Sequence, residues 1–330
     1  GVLQQTKLVR YAYISSLVGD YSIVKMCRWL SVSRSGYYKW RKREPSFRES
    51  YRETLRKALM LKFTELKQRY GAPRLVDELN EAGYTCSLNH VAKLMSEEGL
   101  KARNGKNFKY SPSGVTTNNI TNNLLNRHFE AEQPNLKWVS DITYLPIRGG
   151  HVYLAVIMDL FSRKIIGWSV DKSMTVTLVK DALEMAVINR DCEPGLILHS
   201  DQGVQYRSRE YVLALYDKDI TPSMSRKGNC WDNAAMESFF SRLKVEEVFS
   251  QSYQTLGDAY SSVFEYIEMF YNRKRRHSAN GNISPVEYEN NYYERILIGI
   301  KSFDILMLVV TVIPSLLVLY RLIQREHQRN

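Results

Sequence analysis

A chain of 330 residues, 44% hydrophobic, has room for two or more domains with packed cores. Its formal charge of +11 lies entirely in residues 1–135, which hold 23 Lys and Arg against 12 Asp and Glu, whereas residues 136–330 hold 23 of each. A basic module beside a neutral one points to a polyanion partner for the first, with mere solubility as the plainer reading. Cys27, Cys86, Cys192 and Cys230 form no CxxC pair and no His/Cys ligand spacing. That argues against a zinc site or a disulfide framework and for a reducing cytoplasm. The first 30 residues show no signal-peptide pattern, and Gly1 in place of Met points to a fragment or to a frame entered from upstream.

In chain order, residues 1–45 read as a small helical unit. Ile23, Met26, Cys27 and Leu30 recur at helical spacing, Ser33, Ser35 and Gly36 mark a turn, and Tyr37, Tyr38 and Trp40 lie among Lys39, Arg41, Lys42 and Arg43. Residues 46–110 read as a helix-turn-helix-like domain. A long helix through Leu55, Leu59, Phe63 and Leu66 leads to Tyr70-Gly71-Ala72-Pro73. A helix over 73–82 stops at Gly83, and a third, capped by Ser87 or Asn89, runs to about Glu98 before Gly99. Many helix pairs share this grammar without touching DNA; the basic bias favours DNA here. The polar stretch within 111–133 reads as a linker. From 134 to 292 the pattern changes. Strands at Val139–Ile147, His151–Asp159 and Lys164–Val170 are joined by short turns. A helix at 175–190, a strand at Leu196–His199, a helix at 207–217, a strand at 220–224 and helices at 232–248 and 255–272 follow. This is a mixed α/β layer sandwich.

Three carboxylates stand out. Asp141 lies inside a strand with apolar neighbours, where an ionised side chain is costly unless paired or metal-bound. Asp201 follows the C-terminal end of a buried strand, where ligand sites of α/β sheets lie, and Gly203 is expected to turn the chain there. Glu237 borders the apolar stripe Met236, Phe239, Phe240 and Leu243 of a helix, and Lys244, seven positions on, returns to the same face. Taken singly, each carboxylate is as readily a solvated acidic position.

The segments WVSDITY around Asp141, MDLFSRKIIGW at 158–168, HSDQGVQY at 199–206, KGNCWDNAAMESFFSRLK at 227–244 and RRHSANGNISPVEYE at 275–289 belong together. With GYYKW at 36–40 and RYGAPRL at 69–75, they resemble the OrfB-type insertion-sequence transposases of the retroviral-integrase-like DDE superfamily over about residues 10–292. The resemblance implies an RNase H-like core and a metal-binding catalytic triad of Asp141, Asp201 and Glu237. It implies Mg²⁺ or Mn²⁺, two ions in the active complex, and DNA cleavage followed by strand transfer. Element ends and target DNA are the implied partners, with a homo-oligomer on DNA and an upstream OrfA-type partner or fusion. The implied location is the bacterial cytoplasm, at the nucleoid. Lys244 resembles the family's basic position after its Glu and is expected to contact phosphate; a salt bridge to Glu247 is the plainer reading. Arg226 and Lys227 read equally as lining a DNA channel or as a solvated loop charge pair, and Tyr206 and Trp231 offer rings for base stacking, with a core role favoured for Trp231. Asp232 reads as a helix cap, Asp159 and His199 as structural. The basic run Arg273–Arg276 suits either phosphate contact or a solvated helix end.

Two other readings compete: a DNA-binding regulator with a dead catalytic domain, and a nuclease that cuts without joining. Intact carboxylates oppose the first; a strand-transfer assay separates the second. Residues 293–330 form an atypical apolar tail. Its uncharged run, Ile305–Tyr320, spans 16 residues, which would rise about 24 Å as a helix against roughly 30 Å of hydrocarbon. Three readings follow: a marginal membrane segment, a buried helix packed on the catalytic domain, or appended sequence that is dispensable, the last being favoured.

Overall fold

A computed structural model describes residues 4–103, 121–192, 194–226 and 233–307. The chain divides into two compact units, Gly1–Lys101 and Ala102–Asn330. Most of the expected linker, together with Lys227, Cys230, Trp231 and Asp232, falls outside the described residues.

The first unit is all-helical: α1 (Lys7–Ser16), α2 (Ile23–Trp29), α3 (Arg34–Arg41), α4 (Phe47–Glu65), α5 (Ala72–Glu81) and α6 (Leu88–Glu97). Local chemistry sets several of these boundaries. Ser46 and Glu49 form a reciprocal capping box at the start of α4, Pro73 occupies the first turn of α5, and the Ser87 side chain caps α6. Helix α1 was not expected from the sequence. Only Tyr11 and Ile14 of its ten residues are buried, too few to set up a readable period.

The second unit is built on a five-stranded sheet in the order β3-β2-β1-β4-β5, with β1 (Lys137–Ile147), β2 (Gly150–Asp159), β3 (Ile165–Asp171), β4 (Ile197–Ser200) and β5 (Thr221–Met224). The two hairpin pairings, β1–β2 and β2–β3, are antiparallel, while β4 and β5 run parallel to β1. This is the mixed sheet of the RNase H-like expectation. Helices α7 (Val176–Ile188) and α8 (Arg209–Tyr216) lead into β4 and β5, respectively. Trp138, Ala155, Ile157, Ile166, Leu183, Leu198 and Leu215 are among the residues of one core beneath them. α7 crosses β3 so closely that a Cβ on Gly167 would stand 2.1 Å from the Ala182 carbonyl oxygen and 2.8 Å from Ala186 Cβ. Gly167→Ala must therefore push a backbone, not a flexible side-chain tip. It should cost about 1–3 kcal/mol or more, lowering the thermal midpoint in a calorimetric scan.

Helix α9 (Ala234–Glu246) packs on β1, followed by α10 (Leu256–Phe264), which continues as a π-helical stretch over Glu265–Tyr271. Helix α11 runs without a break from Pro285 to Met307, straight through the expected boundary at 293. Its first turns are fastened to the sheet side by Glu289, which is buried. Glu289 accepts from Ser162 Oγ (2.7 Å), pairs with Lys164 (3.0 Å) and Arg190 (2.5 Å), and so ties the β2–β3 turn to the helix. Among the described residues no helix is long and apolar enough to cross a membrane.

Candidate active site

The sheet register brings the first two carboxylates together. Lys137, Trp138 and Val139 of β1 pair with Ile197, Leu198 and His199 of β4. The same parallel register, continued two places, sets Asp141 alongside Asp201, just past the end of β4. Each carboxylate is oriented by one backbone amide: Ile142 N–H donates to Asp141 Oδ1 and Gly203 N–H to Asp201 Oδ1, both at 2.8 Å. Gly203 is needed for a reason other than the expected turn, since its backbone is not in the left-handed region. A Cβ there would stand 2.9 Å from Asp201 Oδ1, so the glycine leaves room for the carboxylate.

Electrostatics bind the third carboxylate to the pair. Asp141 is held well above its ordinary range by burial and then by the charge of Asp201. The Ile142 amide opposes this, Glu237 adds to it and Lys244 offsets it. Burial also raises Asp201, against the Gly203 amide and the Arg207 guanidinium, and burial raises Glu237. Asp141 thus feels both of the other carboxylates, and its own ionisation is disfavoured. Such a set of hard oxygen donors suits a divalent cation. Among the described residues, no three His, Cys, Asp or Glu side chains stand close enough, as placed, to hold one ion together. Asp141 and Asp201 are fixed by strand register and backbone amides, whereas Glu237 is carried separately on helix α9.

Lys244 is not turned outward to solvent. It is buried, its Nζ stands 4.6 Å from the Tyr144 ring centre, and it feels the charge of Asp141. Burial lowers its pKa and Asp141 raises it. Tyr206 departs further from expectation. It is 1% exposed, and its hydroxyl lies 2.9 Å from Ser140 Oγ beneath the strand that carries Asp141. Its ring is edge-on to Tyr211 and offers no face to a base. Arg226 is exposed, as a channel residue must be, whereas Lys227 lies outside the described residues. Lys39, Arg41, Lys42 and Arg43 are all exposed in the first unit, Arg43 near Glu49 at 3.5 Å.

The structural readings of Asp159 and His199 agree with their surroundings. Asp159 is fully buried and accepts from the Asn135 and Phe161 amides, at 2.9 Å each; its pKa is pushed up to about 6, chiefly by burial. His199 Nδ1 lies 2.9 Å from Ser223 Oγ. The run Arg273–Arg276 splits in two: Arg273 and Lys274 are exposed, while Arg275 and Arg276 are buried. Arg275 donates from Nε and Nη2 to Glu246 at 2.8 and 2.7 Å, and Tyr266 Oη donates to the same carboxylate at 2.8 Å. Two neighbours of the site went unnoticed in the sequence, Tyr144 and Arg207. Their spacing from Asp141 and Asp201 follows no general rule, and only the fold shows their proximity.

Integrase core domain families match residues 131–230 and 237–292, and an HTH-like domain family matches residues 50–107. The transposase InsF for insertion sequence IS3A of Escherichia coli (strain K12) is 42% identical over 287 residues, 86% of this chain and 99% of that protein. An uncharacterized 31 kDa protein of insertion element IS600 from Shigella sonnei is 38% identical over 82% of this chain and 99% of its own length. A more distant likeness, with 14% identity and a TM-score of 0.41, covers 70% of this chain and 73% of a chain in the simian T-cell lymphotropic virus intasome bound to the PP2A regulatory subunit B56 gamma. An integrase core implies divalent-metal chemistry on DNA, and an HTH-like domain implies DNA binding. Identity at this level across nearly the whole length of the InsF relatives means that the chain belongs to the insertion-sequence transposase family and is a DNA transposase of the polynucleotidyl-transferase type.

Proposed function

We propose that Asp141, Asp201 and Glu237 together form the catalytic and metal-holding set of this transposase, for Mg²⁺ or Mn²⁺ and with two ions in the active complex. The observation that carries the assignment is the register that puts Asp141 beside Asp201, with Glu237 within electrostatic reach of Asp141. Bound divalent ions supply activation of the attacking oxygen and neutralisation of the leaving oxygen in an in-line phosphoryl transfer. The protein's own part is positional and electrostatic. The Ile142 and Gly203 amides fix the two aspartates, and Lys244, seated on Tyr144, keeps a positive charge beside Asp141. Arg226 and Lys227 are assigned to the DNA channel. Water as attacking group gives cleavage; a DNA 3′-hydroxyl gives strand transfer to a target. The same reading has the protein acting on element ends as a homo-oligomer at the bacterial nucleoid, alone or with an OrfA-type partner.

Metal binding can be tested without an activity assay. All three carboxylates have raised native pKa values, so the protonated forms are favoured in the folded state. Their contribution to stability therefore falls as pH rises from the ordinary carboxylate range through those raised values, as the cluster charges. A divalent cation opposes that repulsion. The rise in thermal midpoint caused by Mg²⁺ should grow between about pH 5 and about pH 8. It should reach roughly 5–10 °C at about 100 times the dissociation constant. Asp141→Asn should remove most of this response. An equal Mg²⁺ response in wild type and Asp141→Asn would refute the assignment.

A further inference from the structure

The uncompensated charge of the N-terminal unit is concentrated in one stretch. Tyr21 to Arg43 holds seven Lys and Arg and no Asp or Glu, whereas Ser46 to Lys101 holds ten against eight. The second stretch carries most of the HTH-like match, and much of its positive charge is engaged on its own surface. Arg52 pairs with Glu97, Arg56 with Glu53, Glu97 and Glu98, and Lys62 with Glu65. The acid-free stretch therefore presents the stronger field to a polyanion.

That stretch is itself built as helix, turn, helix. α2 ends at Trp29, and Arg10 Nη1 of α1 donates to the Leu30 carbonyl oxygen at 3.1 Å. Ser31 takes the left-handed conformation, with φ 50°, and Val32 N–H donates to the Cys27 carbonyl at 3.0 Å. Ser33 Oγ then caps α3, accepting from Gly36 N–H at 3.3 Å. One face of α3 is committed to the core. Gly36 lies so near α1 that a Cβ would stand 2.4 Å from Tyr11 Oη, and Tyr37 is fully buried. The rings of Tyr37 and Trp40 both pack near Tyr11, at 6.1 and 5.8 Å. The other face bears Arg34, Ser35, Tyr38, Lys39 and Lys42, spaced i, i+1, i+4, i+5 and i+8 on one side of the helix. Arg34, Ser35, Lys39 and Lys42 are exposed, and the Arg34 guanidinium stands 5.8 Å from the Tyr38 ring centre. Guanidinium, hydroxyl and ammonium groups along about 12 Å of helix form a row of donors for base edges and flanking phosphates. On α2, Lys25 and Arg28 are exposed where the first helix of such a pair meets the DNA backbone.

We propose that α2 and α3 form a second DNA-reading helix-turn-helix, distinct from the HTH-like domain of residues 50–107, with α3 entering the major groove of duplex DNA. Arg34, Ser35 and Lys39 read base edges, and Lys25, Arg28 and Lys42 hold phosphates. The proposal rests on the transposase reading only in taking DNA as the partner. The test therefore measures binding and not cutting. Full-length protein carrying Asp201→Asn selects from a pool of randomised duplexes, and the selected motif is sequenced. Arg34→Ala and Lys39→Ala should each erase specified positions and weaken binding to the selected motif by about 5- to 150-fold, leaving the thermal midpoint unchanged. Lys25→Ala should weaken all sequences alike and reduce the salt slope by about one. An unchanged motif and affinity in Arg34→Ala and Lys39→Ala, or binding without any sequence preference, would overturn the proposal. So would losses seen with anionic phospholipid vesicles and not with duplex. Failure of the carboxylate assignment would show instead as undiminished DNA cutting by Asp201→Asn, with the motif untouched.

Discussion

Asp201→Asn should reduce both DNA cleavage and strand joining by roughly 10³-fold or more, equivalent to about 4 kcal/mol of transition-state stabilisation, while DNA binding stays near wild type. The substitution keeps the side chain's shape and one oxygen to accept from Gly203 N–H, so the loop after β4 has no reason to move. It removes the charge that most strongly raises Asp141 after burial itself. Without a metal ion present, the variant should therefore melt at the same temperature as wild type or higher. Loss of activity with a gain in stability would mark a site whose charge is kept for chemistry against the interest of the fold. Single-turnover cutting of a labelled duplex, paired with a thermal scan, checks both halves. Cleavage within tenfold of wild type would sink the assignment.

The largest stability effect should come from Arg275. Its guanidinium and Glu246 are 3% and 2% exposed, and Tyr266 Oη completes the carboxylate's shell. Removing one partner leaves a buried charge unanswered, which costs about 3–5 kcal/mol, whereas exchanging both for apolar groups of similar volume is often neutral. Arg275→Ala should lower the thermal midpoint by roughly 6–20 °C, and the double variant Glu246→Met/Arg275→Met should recover much of that loss. A single variant that melts with wild type would show that water reaches the pair.

The sheet was legible in the sequence because alternation, short turns and Gly149-Gly150 mark a hairpin locally; β1, β2 and β3 start and end within two residues of their expected positions. What was hidden depends on partners far along the chain. Asp141 and Asp201 meet through the β1–β4 pairing, which no spacing rule encodes. Tyr206 is drawn inward because Ser140, 66 residues upstream, meets its hydroxyl. Arg275 reads as one of four surface cations until Glu246, 29 residues earlier, is found beside it. The π-helical stretch at Glu265–Tyr271 carries the same apolar pattern as the helix it extends, so it had no separate mark. The three carboxylates were visible singly; the register joins Asp141 to Asp201, and the resemblance to a known family is what adds Glu237 to them.

The mixed sheet also dictates an order of assembly. Strands β1, β2 and β3 close through neighbouring hairpins, but β4 must find β1 across an intervening helix, with partners 60 positions apart, and β5 must then find β4. Loop-closure entropy makes the local pairings fast and the parallel ones slow. A refolding chain should therefore protect the amides of Gly150–Asp159 from hydrogen exchange before those of Ile197–Ser200. On the proposed assignment, Asp141 should be in place with the hairpins while Asp201 waits for the β1–β4 pairing, so a chain at the hairpin stage would hold one aspartate of the pair and have no means of cutting DNA.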